Sequence, residues 1–248
     1  MGSAGEAQRE QLAELRRRIA AVPARGAGAA VRGVGSAVRH PLRREPLPTP
    51  SALAELLPEG GLAKGSVVAY TGASSLLTGL LAAVTGSGGH AAAVGLPRLG
   101  LLAASEMGAR LDRLAVVPDP GSDPVEIAAV LLDGLDLVVL GLGGLSVPPS
   151  RTRVLAARAR SKASTLVVTG GSWSGATVRI DARVAGYEGL GRGCGRLRTL
   201  RLDVRVRGRS APPRTGRLEL TPRDGGVEWV ARQENTAQHL GSVREAAS

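Results

Sequence analysis

The stretch YTGASSLLTGLLAAV, residues 70–84, has the position of a phosphate-binding loop, because it joins an apolar run at 67–70 to a helical pattern at 76–84. Such loops follow the pattern G-x-x-x-x-G-K-[ST], in which backbone N–H groups surround the phosphates and the lysine contacts the β and γ oxygens. Counted from Gly72, the second glycine is replaced by Leu77, the lysine by Thr78 and the Mg²⁺-binding hydroxyl residue by Gly79. The sequence therefore predicts a vestigial phosphate loop comprising Gly72, Ser74, Ser75, Leu77, Thr78 and Gly79.

The acidic residue that nucleotide hydrolysis also requires is missing from its expected position. In open α/β sheets the chemistry takes place at the carboxyl ends of the strands. The apolar run at 137–140 is followed by Gly141, whereas Asp136 stands at its other end, more than ~10 Å away at about 3.3 Å per residue. Gly141 is thus a vestigial acid position, and we predict a chain that is not an enzyme and binds no cofactor.

Three other features have weaker links to chemistry. The stretch GGSWSGA at 170–176 would need serine in place of Trp173 to form a nucleophile elbow. Trp173 could stack on a base, but packing at a sheet edge is the preferred interpretation. The glycine-rich stretch at 186–198 fits a phosphate contact and a solvated connector equally well. Its Cys194 is the only cysteine, and His40, His90 and His239 lack metal-ligand spacing, so neither a disulfide nor a metal site is predicted.

Short apolar runs alternate with helical patterns through the middle of the chain. Strands are predicted at 67–70, 91–94, 114–117, 137–140 and 166–168, and helices at 50–57, 76–84, 101–110, 125–132 and 151–160, with Thr49 as N-cap of the first. This alternation indicates βαβ units, and therefore an α/β domain with a mainly parallel sheet flanked by helices. Aromatic residues make up only 2% of the chain and Phe is absent, so the core must consist of aliphatic side chains.

From residue 177 onward the pattern changes to strict alternation of polar and apolar residues. The stretches TVRIDARV, RTLRLDVRVRG and GRLELTPRDGGVEWV are joined by Gly and Pro, and RDGG at 223–226 predicts a hairpin turn. We expect antiparallel strands at the end of the sheet, with one solvated, arginine-rich face.

The net charge of +11 is unevenly distributed along the chain. Nine Arg against four Glu give +5 in residues 1–49, four basic against nine acidic residues give −5 in 50–150, and eighteen against six give +12 in 151–232. This asymmetry suits a polyanion or an acidic protein partner. The alternative is that arginine simply replaces lysine throughout the sequence.

Four segments are predicted. Residues 1–49 comprise an amphipathic helix at 6–22 and a basic flexible linker, and residues 50–185 form the α/β core. Residues 186–232 form the basic antiparallel strands, and residues 233–248 form a disordered tail. The N-terminus lacks an apolar signal region, and the uncharged stretch 65–97 is interrupted by Gly, Ser and Thr, so neither a signal peptide nor a membrane span is predicted. We expect a cytoplasmic protein.

Two levels of family resemblance follow from these motifs. LPEGGLAKGSVVAYTGASS at 57–75 and LDLVVLGL at 135–142 resemble the core of RecA. The stretches at 88–142, 151–169 and 178–193 are more closely similar to actinobacterial ImuA proteins of the ImuA-prime type. That resemblance implies a RecA-like accessory protein for SOS-induced, error-prone translesion DNA synthesis. It also implies binding to ImuB, a polymerase homologue of the Y family, and indirect association with a DnaE-type polymerase.

The resemblance further implies that the C-terminal region, from about Tyr187 to Trp229, contacts ImuB. The residues expected to bind this partner or single-stranded DNA are Arg192, Arg196, Arg198, Arg201, Arg205, Arg207, Arg209 and Trp229. Two alternatives stay open: a cell-division regulator similar to SulA, which would bind FtsZ, and a nucleotide-binding RecA-like ATPase with an atypical phosphate loop.

Overall fold

The computed structural model describes residues 45–190, 195–209, 211–223 and 225–232. The predicted helix at 6–22, Arg192, Cys194 and the tail at 233–248 lie outside the described residues. One correction concerns the predicted linker. Leu47, near its end, is only 2% exposed, and its backbone pairs with Leu62, where the Leu47 N–H donates to the Leu62 carbonyl at 2.7 Å. The end of the linker therefore belongs to the folded core.

The described residues form five α-helices, a short 3₁₀ helix and nine strands. The helices are α1 (Ser51–Ala54), α2 (Ser74–Gly86), α3 (Leu101–Glu106), α4 (Pro124–Leu131) and α5 (Pro149–Lys162), with the 3₁₀ helix at Leu111–Arg113. The strands are β1 (Val67–Gly72), β2 (Ala91–Val94), β3 (Leu114–Val117), β4 (Leu137–Gly141), β5 (Thr165–Thr169), β6 (Val178–Leu190), β7 (Gly195–Gly208), β8 (Arg214–Arg223) and β9 (Gly226–Arg232).

All nine strands lie in one sheet with the order β3-β2-β4-β5-β1-β6-β7-β8-β9. The five strands β1 to β5 are parallel to their neighbours, and β6 pairs in parallel with β1 before the antiparallel series β6 to β9 begins. The predicted fold class, a mainly parallel α/β sheet with C-terminal antiparallel strands, is thus confirmed. The boundary predicted at residues 185/186 falls inside β6.

Apolar side chains cover both faces of the parallel part of the sheet. On one face α4 and α5 pack on side chains such as Val94, Val138 and Leu166. On the other, α1 and α2 pack on a core that extends from the parallel strands into β6 to β9 and includes Ile180, Leu202 and Trp229. The C-terminal strands therefore share the core of the domain on one face only.

Helix ends depart from the sequence prediction by a few residues. Helix α2 begins at Ser74, two residues before the predicted start, and α3 ends at Glu106, four residues before the predicted end. Pro50, not Thr49, is the N-cap of α1, and no side chain bonds to this helix end. The early start of α2 matters most, because it shortens the turn that was predicted to resemble a phosphate loop.

Candidate functional site

The turn between β1 and α2 consists of one residue, Ala73, between Gly72 and Ser74. Gly72 has a φ of +107°, and a Cβ atom placed on it would lie 1.8 Å from the carbonyl oxygen of Ala182 in β6. The N–H of Ala73 donates to the same oxygen at 2.8 Å. The turn is therefore tied to β6, and a loop of several residues that could surround a phosphate is not present between these two elements.

Leu77, Thr78 and Gly79 do not lie in a loop, which corrects their assignment by counting. All three are buried within α2. The Thr78 hydroxyl donates to the Ser74 carbonyl at 3.1 Å, inside the helix. A Cβ atom on Gly79 would lie 2.6 Å from Nε1 of Trp229, so the indole ring occupies the space beside this residue. None of these positions faces the end of the sheet where a phosphate would bind.

The residues that do lie at the start of α2 are Ser74, which is exposed, and Ser75, whose hydroxyl is buried and has no partner among the described residues. The Tyr70 hydroxyl donates to the Ala73 carbonyl at 2.5 Å, and burial raises the pKa of this phenol far above its usual range. Tyr70 therefore stays neutral and fixes the turn from inside the core.

At the end of β4, atoms of the loop after β2 fill the space beside Gly141, the vestigial acid position. A Cβ atom on Gly141 would lie 2.4 Å from the Gly95 carbonyl oxygen and 2.8 Å from Cδ2 of Leu96. Asp136 lies at the amino end of β4, as predicted, and accepts the His90 N–H at 2.8 Å. An aspartate at 141 would collide with the loop after β2. Across the described residues, no group of three or more His, Cys, Asp or Glu side chains is arranged to hold a metal ion.

Sequence reasoning missed Asp181, which the parallel pairing of β1 and β6 places opposite Thr71. The Thr71 hydroxyl donates to Asp181, and Arg207 bonds the other carboxylate oxygen at 2.8 Å. These contacts, the Thr71 hydrogen bond first, lower the pKa of Asp181. The only sequence signal was the alternation in TVRIDARV, which places Asp181 on the solvated face but cannot reveal its neighbour in β1.

Both tryptophans are buried, which corrects the expectation that Trp229 binds a partner or DNA. Trp229 is 3% exposed and packs against α2 beside a cavity of about 110 Å³ lined also by Pro50 and Met107. Trp173 is 6% exposed and lies in the core beneath α4 and α5, in agreement with the packing interpretation.

The predicted arginine-rich face exists, and α4 and α5 leave it uncovered. Alternation in β7 places Arg201, Arg205 and Arg207 on the side of the sheet opposite the shared core. Two of them, Arg205 and Arg207, line an open cleft of about 790 Å³, whose charged residues are Arg183, Arg205, Arg207, Arg217, Arg232, Asp181 and Asp203. We call this surface the arginine cleft; its five arginines and two aspartates give a net charge of +3.

Two of the predicted arginines, Arg201 and Arg207, are paired with acidic side chains, as are Arg217 and Arg232, which the sequence analysis did not single out. Arg207 bonds Asp181 at 2.8 Å, Arg217 bonds Asp203 at 3.0 Å and Arg232 bonds Glu219 at 2.8 Å. Arg201 contacts Glu219 at 2.9 Å and also Glu188. Arg201 lies beside the cleft, and its two carboxylate partners engage its guanidinium.

The other predicted arginines are distributed around this face. Arg209 donates to the Gly175 carbonyl at 3.1 Å. Arg196 and Arg198 are exposed on β7, near the end of the β6–β7 hairpin. The structure therefore brings together Arg205 and Arg207 in the cleft and places Arg196 and Arg198 on the hairpin.

The β6–β7 hairpin extends beyond all neighbouring strands. Strand β6 pairs with β1 only as far as Ala182, and β7 pairs with β8 only from Leu200 onward, so the remaining residues pair only with each other. Val184 and Tyr187 lie opposite Leu202 and Leu200 on the core face, yet they are 45% and 56% exposed. We call these two residues the hairpin patch; Leu197 on the same hairpin is 52% exposed.

The fold of this chain is similar to that of a KaiC-like α/β protein. A KaiC-like protein, PH0186, from Pyrococcus horikoshii OT3 superposes with a TM-score of 0.51 at 16% identity, covering 77% of this chain and 100% of that protein. Among the described helices, none is long and apolar enough to span a membrane.

Sequence comparison defines the family. Residues 55–175 match the MT3502 N-terminal domain and residues 178–218 the Rv3395c C-terminal domain. The protein Rv3395c of Mycobacterium tuberculosis (strain ATCC 25618 / H37Rv) is 54% identical over 169 residues, which cover 64% of this chain and 83% of that protein. The chain belongs to the Rv3395c family.

Proposed function

We propose that this chain is an accessory protein of the ImuA-prime type, which acts without catalysis as a scaffold in SOS-induced, error-prone translesion DNA synthesis. In this proposal it binds an ImuB-type polymerase homologue through its C-terminal strands, associates indirectly with a DnaE-type polymerase, and works in the cytoplasm. The observation that carries the proposal is the β6–β7 hairpin, which extends from a folded core and exposes apolar side chains.

The hairpin patch has the composition of a protein-binding surface. Tyrosine is enriched at the energetically important centres of interfaces, and apolar anchors are commonly surrounded by polar residues. Here Arg198 of the paired strand lies diagonally across from Tyr187, and Arg196 lies nearer the end of the hairpin; both arginines are exposed. The surface suits a partner with an apolar pocket and an acidic rim. The region that matches the Rv3395c C-terminal domain, residues 178–218, includes the whole patch.

The geometry at the carboxyl edge of the sheet supports a role without nucleotide hydrolysis. The turn after β1 is one residue long and hydrogen-bonded to Ala182, and Gly95 and Leu96 fill the space beside Gly141. A phosphate cradle would need the turn to detach from β6, and a metal-binding acid would need the loop after β2 to move. We therefore infer that the RecA-like core positions the C-terminal strands and does not use ATP.

Co-purification with the cognate ImuB-type homologue tests the proposal. The full chain is compared with the double variant Val184→Ala/Tyr187→Ala, in which both substituted side chains are exposed, so folding is preserved. The matched control is Leu145→Ala/Val154→Ala, whose side chains are 49% and 64% exposed elsewhere on the surface. We expect the wild type and the control to retain the partner and the hairpin variant to lose at least about tenfold in affinity.

A wild-type chain that fails to bind the homologue would contradict the assignment to the translesion complex. Equal binding by all three proteins would place the contact outside the hairpin patch. Binding to FtsZ instead would favour the division-regulator alternative, and partner-independent, Mg²⁺-dependent binding of an ATP analogue would favour the ATPase alternative.

A further inference from the structure

The arginine cleft differs in chemistry from the hairpin patch. It lies on the opposite face of the sheet, where α4 and α5 cover β1 to β5 but leave β6 to β9 open. Besides its five arginines and two aspartates, the cleft is lined by Val204, Thr215 and Gly216. Of these, Val204 is only 2% exposed, so the cleft offers a ligand cations and polar groups but no apolar anchor.

The two aspartates in the cleft do not neutralise all of its arginines. Asp181 lies opposite Arg205 and Asp203 opposite Arg183 in the β6–β7 ladder. Yet Asp181 bonds Arg207 and Asp203 bonds Arg217. Among the described residues, neither Arg183 nor Arg205 forms an ion pair or donates a hydrogen bond, although the charge of Arg183 helps to lower the pKa of Asp181. As diagonal neighbours on adjacent strands, their backbones are about 7 Å apart.

We propose that the arginine cleft binds the phosphodiester backbone of a nucleic acid, with Arg183 and Arg205 contacting phosphates. Guanidinium groups match phosphate oxygens in a planar, bidentate geometry, and both of these have unoccupied donors. Since no aromatic side chain lines the cleft among the described residues, bases would not stack there. Binding is therefore independent of sequence and strongly dependent on salt. This inference does not rest on the proposed polymerase partner.

An acidic protein segment is the competing ligand class. Protein interfaces generally combine charge with an apolar core, and the arginine cleft exposes none. The exposed apolar side chains of the C-terminal strands lie instead on the hairpin. The distribution of side chains therefore favours a uniform polyanion in the cleft and a protein on the hairpin patch.

Fluorescence anisotropy with labelled oligonucleotides tests the proposal on the full chain. The variant Arg183→Ala/Arg205→Ala is compared with Arg98→Ala/Arg110→Ala, which removes the same charge near α3, on the face of the sheet opposite the cleft. Both pairs are exposed, and thermal unfolding checks that each variant is folded. Residues 1–44 are identical in every variant, so a contribution of their arginines cancels in the comparison, and the readout is the change in salt dependence as well as in affinity.

We expect the cleft variant to bind single-stranded DNA about tenfold more weakly and to lower the slope of log K against log salt by about 1.4, at about 0.7 per phosphate contact. The control should keep both values within error. A parallel titration with duplex DNA, for which the expected loss of slope is about 1.8, shows which form the cleft prefers. If the cleft variant kept the wild-type slope with both single-stranded and duplex DNA, the proposal would be overturned. It would also be overturned if the cleft variant lost binding to the ImuB-type partner but kept its binding to DNA.

Discussion

Gly72 shows how one residue can retain the appearance of a nucleotide site for a different reason. Its position at the end of β1 matches the first glycine of a phosphate loop, but its backbone lies against Ala182 and has a φ of +107°. Glycine is required here because both the conformation and the close approach exclude a side chain. The residue therefore maintains the junction of β1 with β6.

Substitution of Gly72 by alanine should destabilise the protein severely. The added Cβ meets a backbone oxygen at 1.8 Å and forces an unfavourable φ, so we expect a loss of about 3 kcal/mol or more in the free energy of unfolding. Urea denaturation followed by circular dichroism measures it. The matched control is Gly144→Ala, where φ is +92° but nothing lies within 4 Å of the new Cβ. This control should cost only about 1–2 kcal/mol.

Equal losses at the two glycines would mean that backbone conformation alone fixes Gly72, and that the contact with β6 carries no weight. The turn could then open as a phosphate loop must, which would weaken the case against nucleotide binding.

At this scale the sequence predicted some positions and not others. The absence of an acid at Gly141 and the remote place of Asp136 were read directly from the order of residues. The assignment of Leu77, Thr78 and Gly79 to a phosphate loop is wrong, because it assumes a loop of normal length. The length of that turn depends on a hydrogen bond to Ala182, more than a hundred residues away, which no local pattern encodes.

At the scale of elements, the C-terminal strands have two separate roles. They complete the core through side chains such as Leu202, Leu218 and Trp229, and they extend outward as the β6–β7 hairpin. Arg214 links them further to the segment after α1 by donating to the Leu57 carbonyl at 3.2 Å. A truncation after residue 185 would therefore expose the core, and point variants are the appropriate probes of function.

Two aromatic residues on these strands should separate stability from binding. Trp229→Ala removes a buried indole beneath α2, and we expect a loss of about 3–5 kcal/mol in unfolding free energy. Tyr187→Ala removes an exposed ring and should cost about 1 kcal/mol or less while weakening the partner complex. Thermal and urea unfolding, with partner affinity measured on the folded fraction, distinguish the two effects.

A large stability loss for Tyr187→Ala would indicate that the ring packs within the fold and is not a binding surface. A small loss of unfolding free energy for Trp229→Ala would contradict a core that α2 and the C-terminal strands share.

The sequence patterns predict where the strands lie in the chain better than they predict which elements lie beside each strand. Continuous apolar runs identify all five parallel strands. Four of these strands are largely buried, whereas β3, at the edge of the sheet, is only partly buried. Alternation identified the antiparallel strands and their solvated face. Neither pattern reveals that β9 packs Trp229 beneath α2, since hydrophobic periodicity gives the face of a residue and not the element that covers it. Trp229 was misassigned for this reason.

At the scale of the whole molecule, a RecA-like core presents two different surfaces on one C-terminal sheet extension. The hairpin patch is apolar with a basic rim, and the arginine cleft on the other face is polar with a net charge of +3. A scaffold needs separate surfaces of this kind, because two ligands can then be held at once. Strands β6 to β9, with eleven Arg against five acidic residues, carry half of the +12 excess of segment 151–232, and α5 adds five basic residues.

Isothermal titration of the full chain with the purified ImuB-type homologue, with and without Mg-ATP, measures whether the complex forms independently of nucleotide. We expect a saturable one-to-one complex with the same Kd in both conditions, because the proposed scaffold does not use ATP. No measurable binding, or binding that appears only when Mg-ATP is present, would contradict the account of this chain as a scaffold that works without nucleotide.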